Sequence, residues 1–235
     1  AISVKNEWDP RVGRERKKEY RALVSAEFFD YDNVEHGRRP LTYSADAEII
    51  AYDSTHDMAL LKLRTVKKAE AVAALPALES WKAVTIGTPV FAVGCALGHD
   101  PVLTDGLVTH MGDEIDYKDY IMATAAIIFG NSGGAVFVDL DGAYRFLGIP
   151  SRVAVVGWGT PVTHMGYLSP IWRVYQFLDE GLYHFLIPGH KHTEADCEKE
   201  RADRAEREER RMTVEGTQRE DPRLSFLTGR DEGDR

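Results

Sequence analysis

The chain has 235 residues, 43% of them apolar, which is enough for one medium-sized globular domain with an appendage. Its formal net charge of −9 argues against nucleic-acid binding, which needs a basic surface to displace counterions from phosphates. Because no apolar run approaches the ~20 residues that a helix needs to cross a bilayer, we predict no membrane span.

Short β-like runs follow one another through residues 1–188 and are bounded by Gly, Pro or Asp. The charged stretch Asp9–Glu19 is expected to be a loop. The strand candidates, in chain order, are Arg21–Phe29, Leu41–Tyr52, Met58–Leu63, Pro89–Gly94, Leu103–His110, Tyr120–Ala126, Ala135–Val138, Tyr144–Gly148 and Val153–Gly157. Many short strands and few helices indicate an all-β barrel or sandwich.

One helix is well marked after these strands. Ser169 can cap it, Pro170 suits its first turn, and Gly181 can end it. Its apolar stripe would consist of Ile171, Val174, Tyr175 and Leu178.

The segment 189–235 is strongly charged and has a possible capping residue in Thr193. It is predicted to be helical or disordered, since it offers no apolar face to bury. Two interpretations stay open: a solvated tail, or an arm that binds a protein partner.

The chain has only two cysteines. Cys95 lies in an apolar run and is expected to be buried, whereas Cys197 lies in the charged segment and is expected to be exposed. This mismatch predicts two unpaired thiols and no disulfide framework.

The strongest chemical signal is the sequence Gly130-Asn131-Ser132-Gly133-Gly134. Acyl transfer needs a nucleophilic oxygen beside backbone N–H donors that stabilise the developing oxyanion. Glycines around a serine allow the tight turn that places such donors, and the N–H groups of Gly130 and Ser132 are the natural pair. Alone, a glycine-rich turn with a serine is equally typical of an ordinary loop.

Asp57 opens the apolar run Met58–Leu63, where the following strand is expected to bury it. A buried carboxylate needs a partner, and in catalysis that partner is a histidine. Alone, an Asp before a strand is more often turn chemistry.

Taken together, the two segments resemble the trypsin-like serine peptidases, and most closely their HtrA/Deg branch. The resemblance runs from about Arg21 to about Gly181. It depends on "AEIIAYDSTHDMALLKL", "GTPVFAVGCALG", "LTDGLVTHMG", "ATAAIIFGNSGGAVF" and "GYLSPIWRVYQFL". It implies Asp57 as the triad acid, Ser132 as the nucleophile, and Gly130 with Ser132 as the oxyanion hole.

The same resemblance implies two six-stranded β-barrels of the chymotrypsin type, the first of them incomplete in this chain. The peptidase domain would occupy 1–188, with barrels at about 1–75 and 85–168, a closing helix at 169–180, and the charged tail at 189–235. Substrate would be a polypeptide. The family's specificity pocket maps to Ala126, Ile127, Met165, Gly166 and Tyr167; none is acidic, so an apolar residue is expected at P1, the substrate position before the cleaved bond.

A different fold also carries the pattern G-x-S-x-G, the nucleophile elbow of α/β-hydrolases. That elbow needs a helix directly after the serine, whereas Ala135–Val138 is predicted to be a strand.

A serine hydroxyl needs a base, and the family's histidine loop has no match here. The eight histidines are expected to be surface or packing residues: His36, His56, His99, His110, His164, His184, His190 and His192. Ile2–Trp8 would directly follow the missing histidine, which we expect upstream of Ala1. The sequence therefore predicts a serine endopeptidase without cofactor or metal; the alternative is an inactive relative with a binding or structural role.

Overall fold

The computed structural model describes residues 2–10, 14–30, 41–69 and 71–220. These residues are mostly β-strand, as the sequence predicts, with two α-helices, the second in the segment predicted to be helical or disordered. The strands are β1 (Ile2–Asp9), β2 (Arg14–Arg21), β3 (Val24–Phe29), β4 (Leu41–Asp53), β5 (Met58–Leu63), β6 (Pro89–Gly94), β7 (Val102–Ile115), β8 (Lys118–Ala123), β9 (Ala135–Leu140), β10 (Ala143–Val156) and β11 (Thr160–Pro170). The helices are α1 (Ile171–Glu180) and α2 (Glu194–Glu220). The chain forms two compact units, 1–177 and 178–235.

Six strands of the first unit pair in a closed ring, in the order β6-β7-β8-β11-β10-β9. Their apolar residues alternate into the interior, as the period of a strand requires. The core there includes Val90, Ala92, Val108, Ile121, Val136, Val138, Leu147 and Leu168. Strand β10 joins two runs that were predicted separately, Tyr144–Gly148 and Val153–Gly157. Strand β11 was not predicted.

Two tight hairpins keep successive strands of this ring in register. Asp141 and Gly142 join β9 to β10, and Asp116 and Tyr117 join β7 to β8. All four residues have positive φ, as a two-residue type I′ turn needs. Strand β9 extends to Leu140, two residues beyond the predicted run, before its turn begins.

The strands before the ring form two separate sheets, β1-β2 and β3-β4-β5. The prediction of a loop over Asp9–Glu19 is wrong, because β2 covers most of it and pairs with β1. Oppositely charged side chains face each other across β1 and β2. For example, Lys18 Nζ on β2 lies 2.9 Å from Glu7 Oε2 on β1. Within the described ranges, the ring of β6 to β11 is the one barrel that closes.

Helix α1 begins directly after β11 and presents the predicted stripe. Ile171 and Tyr175 are buried, and Trp172 packs against the core of the ring. The Tyr175 hydroxyl donates a hydrogen bond to the buried carbonyl of Pro76. Burial raises the pKa of Tyr175 to about 12.

Replacing Tyr175 by Phe is expected to lower the free energy of unfolding by about 1–2 kcal/mol, because the Pro76 carbonyl would stay buried without its donor. Chemical denaturation would measure the change. The matched control is Tyr144→Phe, because the Tyr144 side chain is 61% exposed. Removing its hydroxyl should change the free energy of unfolding by no more than about 0.5 kcal/mol. Equal effects of the two substitutions would contradict a stabilising role for the Tyr175 hydroxyl.

The second unit contains the charged helix α2, which begins with a reciprocal cap. Thr193 donates its N–H and its hydroxyl to Asp196, and the Asp196 N–H donates back to the Thr193 hydroxyl. The bond from the Thr193 backbone is the main cause of a lowered pKa at Asp196. The predicted cap is confirmed. Neither described helix combines the length and the apolar character required to cross a membrane.

Both cysteines are free, as predicted, but their burial is the reverse of the expectation. Cys95 is exposed because it follows β6 instead of continuing it. Cys197 is buried at the start of α2 even though its neighbours in sequence are charged.

Candidate active site

The segment before and around Ser132 is held by an internal network of hydrogen bonds. Asn131 is buried, and its side-chain oxygen accepts from the Ile128 N–H at 3.0 Å. The Asn131 N–H donates to the Ile128 carbonyl at 3.1 Å, and the Gly134 N–H donates to the Asn131 carbonyl at 2.9 Å. A buried asparagine thus fixes the turn that carries the serine.

Gly130 has no room for a side chain, and the same is true of Gly134, where an added Cβ would lie 2.4 Å from the Val93 carbonyl oxygen. The φ of Gly130 is +97°, and a Cβ added there would lie 2.4 Å from the Cys95 carbonyl oxygen and 2.7 Å from the Leu97 nitrogen. The neighbouring loop is itself bonded to the turn, since the Leu97 N–H donates to the Phe129 carbonyl at 2.8 Å. Gly130 therefore permits close backbone contact as well as the left-handed conformation.

Three N–H groups of the segment 128–134 remain available, those of Phe129, Gly130 and Ser132. The N–H groups at 128, 131, 133 and 134 are used internally, the one at 133 by the Pro150 carbonyl at 3.0 Å. Among the described residues, those of Gly130 and Ser132 have no hydrogen-bond partner. Both residues line a cleft of about 410 Å³, and Ser132 is exposed.

Part of the cleft lining comes from a bulge in β10. The pairing of β10 with β11 shifts between Pro150 and Arg152, which leaves Ser151 as the extra residue. Proline has no N–H to give to a strand ladder, and this favours the irregularity. The cleft is lined by Ile127, Ile128, Phe129, Gly130, Ser132, Ser151, Arg152, Val153 and Val155.

Arg152 is the cation of the cleft, and it is already paired. Its Nη1 donates to Asp116 Oδ2 at 2.7 Å, and the guanidinium stands 5.5 Å from the centre of the Tyr120 ring. The hydrogen bond to Asp116 is the main cause of a raised pKa at Arg152. Ser151 and Arg152 were missed by sequence reasoning; Pro150, between two predicted strands, was the available signal.

The predicted pocket residues lie around this cleft in different ways. Ile127 is part of the lining, while Ala126 precedes it and is exposed. Gly166 is adjacent to Ile127, since a Cβ on it would lie 2.7 Å from the Ile127 side chain. Gly166 and Tyr167 pair with Val153 and Arg152 across the sheet, and Met165, half-buried, precedes them on β11.

Asp57 lies in the turn between β4 and β5, and the prediction that it is buried is wrong. Its φ is +55°, a left-handed conformation that Asp tolerates in turns, and its side chain is exposed. No hydrogen bond within the described segments joins Asp57 or Ser132 to a histidine.

The carboxylate that does bind a histidine in this turn is Asp53. His56 Nδ1 lies 2.5 Å from Asp53 Oδ2, and the Thr55 N–H donates to Oδ1 at 2.8 Å. Partial burial acts to raise the pKa of Asp53, but the hydrogen bonds from His56 and Thr55 outweigh it, so the pKa is lowered. His56 Nδ1 is therefore occupied by Asp53.

The other histidines divide into two groups. His99, His110 and His164 are exposed, and His36 lies outside the described residues. His184, His190 and His192 converge, with one ligand atom of each within 4.8 Å of the others. His184 is buried and the other two are exposed, as expected of packing and surface residues, but their convergence was not predicted; the spacing H-x5-H-x-H was the available signal.

A comparison with family models matches residues 25–149, just over half of the chain, to the "Trypsin-like peptidase domain". The chain belongs to this family. A trypsin-like domain also accounts for the strand β9 directly after the Ser132 turn, where the nucleophile elbow of an α/β-hydrolase would need a helix.

Curated relatives of this trypsin-like chain confirm the HtrA/Deg resemblance. It is 32% identical over 112 residues to "Periplasmic serine endoprotease DegP" of Salmonella typhimurium, covering 46% of this chain and 22% of the relative. It is 30% identical over 135 residues to "Protease Do-like 1, chloroplastic" of Arabidopsis thaliana, covering 52% and 29%. The chain thus spans less than a third of the length of either relative.

Among solved structures, "HtrA-type protease AlgW with tripeptide" is similar with a TM-score of 0.49 and 23% identity. The match covers 62% of this chain and 46% of that one.

Proposed function

We propose that this chain is part of a serine endopeptidase that hydrolyses polypeptides through an acyl-enzyme on Ser132. The observation that carries the proposal is the pair of available N–H groups at Gly130 and Ser132 beside an exposed serine hydroxyl. Together they offer a nucleophile and two oxyanion donors in one cleft. Membership of the trypsin-like family supports the same chemistry.

In the proposed reaction, the Ser132 oxygen attacks the substrate carbonyl carbon while a base takes the hydroxyl proton. The two N–H groups stabilise the oxyanion, and the proton then passes to the leaving amine as the peptide bond breaks. Water hydrolyses the ester in a second half-reaction and regenerates the serine. Asp57 would orient the base by family resemblance, and the base would be a histidine upstream of Ala1.

This assignment requires Asp57 to become covered, because an exposed carboxylate orients a histidine poorly. A complete first barrel, paired with the six-stranded ring, would supply that cover and form the second wall of the catalytic cleft. The two-barrel architecture is therefore part of the proposal.

The proposal is tested with a fluorophosphonate probe, which reacts with activated serines. Protein expressed from the whole gene should be labelled at Ser132, as identified by peptide mass spectrometry. Absence of labelling in a folded protein would overturn the peptidase proposal and favour an inactive binding domain.

We expect an apolar residue at P1. Five apolar residues line the cleft, none of its described lining residues is acidic, and Arg152 is engaged by Asp116. Peptide substrates that differ only at P1 should show kcat/KM at least about tenfold higher for Val or Leu than for Lys. Preference for Lys would contradict the expectation, and preference for Glu would show that Arg152 leaves Asp116 to bind substrate.

A further inference from the structure

We propose that His184, His190 and His192 bind a zinc ion, with Glu200 as the fourth ligand. All four residues belong to the unit 178–235, and the site is independent of the chemistry at Ser132. Zinc is favoured because imidazole and carboxylate groups are its ordinary protein ligands, whereas Ca²⁺ and Mg²⁺ prefer oxygen alone.

A tight turn brings the histidines together. His184 lies in the short 3₁₀ segment His184–Leu186, and the chain reverses at Pro188-Gly189. The His190 N–H donates to the Ile187 carbonyl at 3.1 Å, and Gly189 has a φ of +81°. Proline followed by a left-handed glycine is typical of a type II turn. The extended chain after it carries His190 and His192 back over His184.

The spacing of the imidazoles suits one small cation. His184 Nε2 lies 2.7 Å from His192 Nδ1, and one ring nitrogen from each of the three histidines lies within 4.8 Å of the other two. Nitrogens that bind a tetrahedral zinc at about 2.0–2.1 Å stand about 3.3 Å apart, so adjustments on the order of 1 Å would complete the geometry. A hydrogen bond between His184 and His192 would not need a third imidazole nearby. The presence of His190 beside them therefore favours a shared metal ion.

Glu200 faces the same point from α2. Its Oε2 lies 4.0 Å from His184 Nε2, and its Oε1 lies 3.8 Å from His192 Nδ1. Two arginines of α2 fix the position of this helix next to the histidines. Arg204 Nη1 donates a hydrogen bond to the Glu180 carbonyl at 2.9 Å, and Arg201 Nη1 donates one to the Leu182 carbonyl. The fourth ligand is thus positioned by contacts that do not involve the metal.

His184 supplies an independent indication. Its side chain is only 6% exposed, yet its buried Nδ1 has no hydrogen-bond partner. Asp179 Oδ1 lies 3.5 Å from this nitrogen. A metal on Nε2 would fix the proton on Nδ1, which could then donate to Asp179; this carboxylate–histidine–metal arrangement is typical of zinc sites.

Zinc binding by the whole chain is measured by metal analysis after loading with ZnCl₂ and dialysis. About one zinc per chain is expected for the wild type, and none for His190→Ala/His192→Ala. Both of these histidines are exposed in the fold, so the double variant should fold, which circular dichroism would check. The matched control is His99→Ala/His110→Ala, which removes two other exposed histidines and should keep the zinc.

Asp179→Asn separates the proposed site from casual binding to histidines. The zinc affinity of this variant, measured by competition with a chromophoric chelator, should fall about 10–100-fold. The reason is that the Asp179 carboxylate supports the metal only by accepting a hydrogen bond from His184. Less than half an equivalent of zinc in the wild type, full retention by the His190/His192 variant, or unchanged affinity in Asp179→Asn would each overturn the proposal.

Discussion

Replacing Ser132 by Ala is expected to remove fluorophosphonate labelling and to lower kcat for peptide hydrolysis by about 10⁶-fold. The reason is chemical: in the proposed mechanism the Ser132 hydroxyl supplies the attacking oxygen, and alanine offers no nucleophile. Labelling intensity and the release of a chromogenic leaving group would measure the change. The protein should be expressed from its whole gene, so that the proposed base is included.

The matched control for this variant is Ser44→Ala, which removes an exposed hydroxyl on β4. It should keep both labelling and turnover. If Ser132→Ala still hydrolysed the peptide at the rate of the wild type, the nucleophile would lie elsewhere and the acyl-enzyme mechanism on Ser132 would be wrong.

The second large effect is expected at Gly130. An alanine there would place its Cβ against two backbone atoms, the Cys95 oxygen and the Leu97 nitrogen, neither of which can move without its loop. The turn would shift and misalign the oxyanion donors, so kcat should fall about 10²–10³-fold. Steady-state kinetics would measure the loss, and thermal unfolding would show the accompanying strain.

Gly133→Ala is the matched comparison. Gly133 also has a positive φ, +82°, but nothing lies within 4 Å of an added Cβ. Gly133→Ala should therefore lower the free energy of unfolding by about 1–2 kcal/mol, the cost of a left-handed backbone at a residue with a Cβ. Its kcat should fall less than that of Gly130→Ala. Equal kinetic losses at Gly130 and Gly133 would show that backbone conformation, and not the contact with the Cys95 loop, determines donor alignment.

Five of the six strands of the ring, all but β11, could be predicted because their signals are local. Alternating apolar residues and turn pairs such as Asp141-Gly142 depend on nearest neighbours, and the structure places them as expected. The serine turn was also predictable, since Gly130 and Gly133 indicate left-handed backbone directly. The buried Asn131 that holds the turn was not, because nothing in its own sequence marks it as buried.

Burial that depends on distant residues was predicted poorly. Asp57 was expected to be covered by the strand that follows it, but it lies exposed in the turn before that strand. Cys197 was expected to be exposed because its neighbours are charged, yet one face of a charged helix can still be buried. The three converging histidines depend on the Pro188-Gly189 turn, whose effect appears only in three dimensions.

The short sheet β3-β4-β5 ends at β5, a strand whose outer backbone edge has no neighbour among the described residues. Leu61 and Leu63 on this strand remain 42% and 39% exposed. Such an edge can recruit a strand from another molecule, which is a common origin of aggregation. Lys62, between the two leucines on β5, is a charge of the kind that opposes this pairing, so its replacement by an apolar residue is the change that would most favour association through this edge.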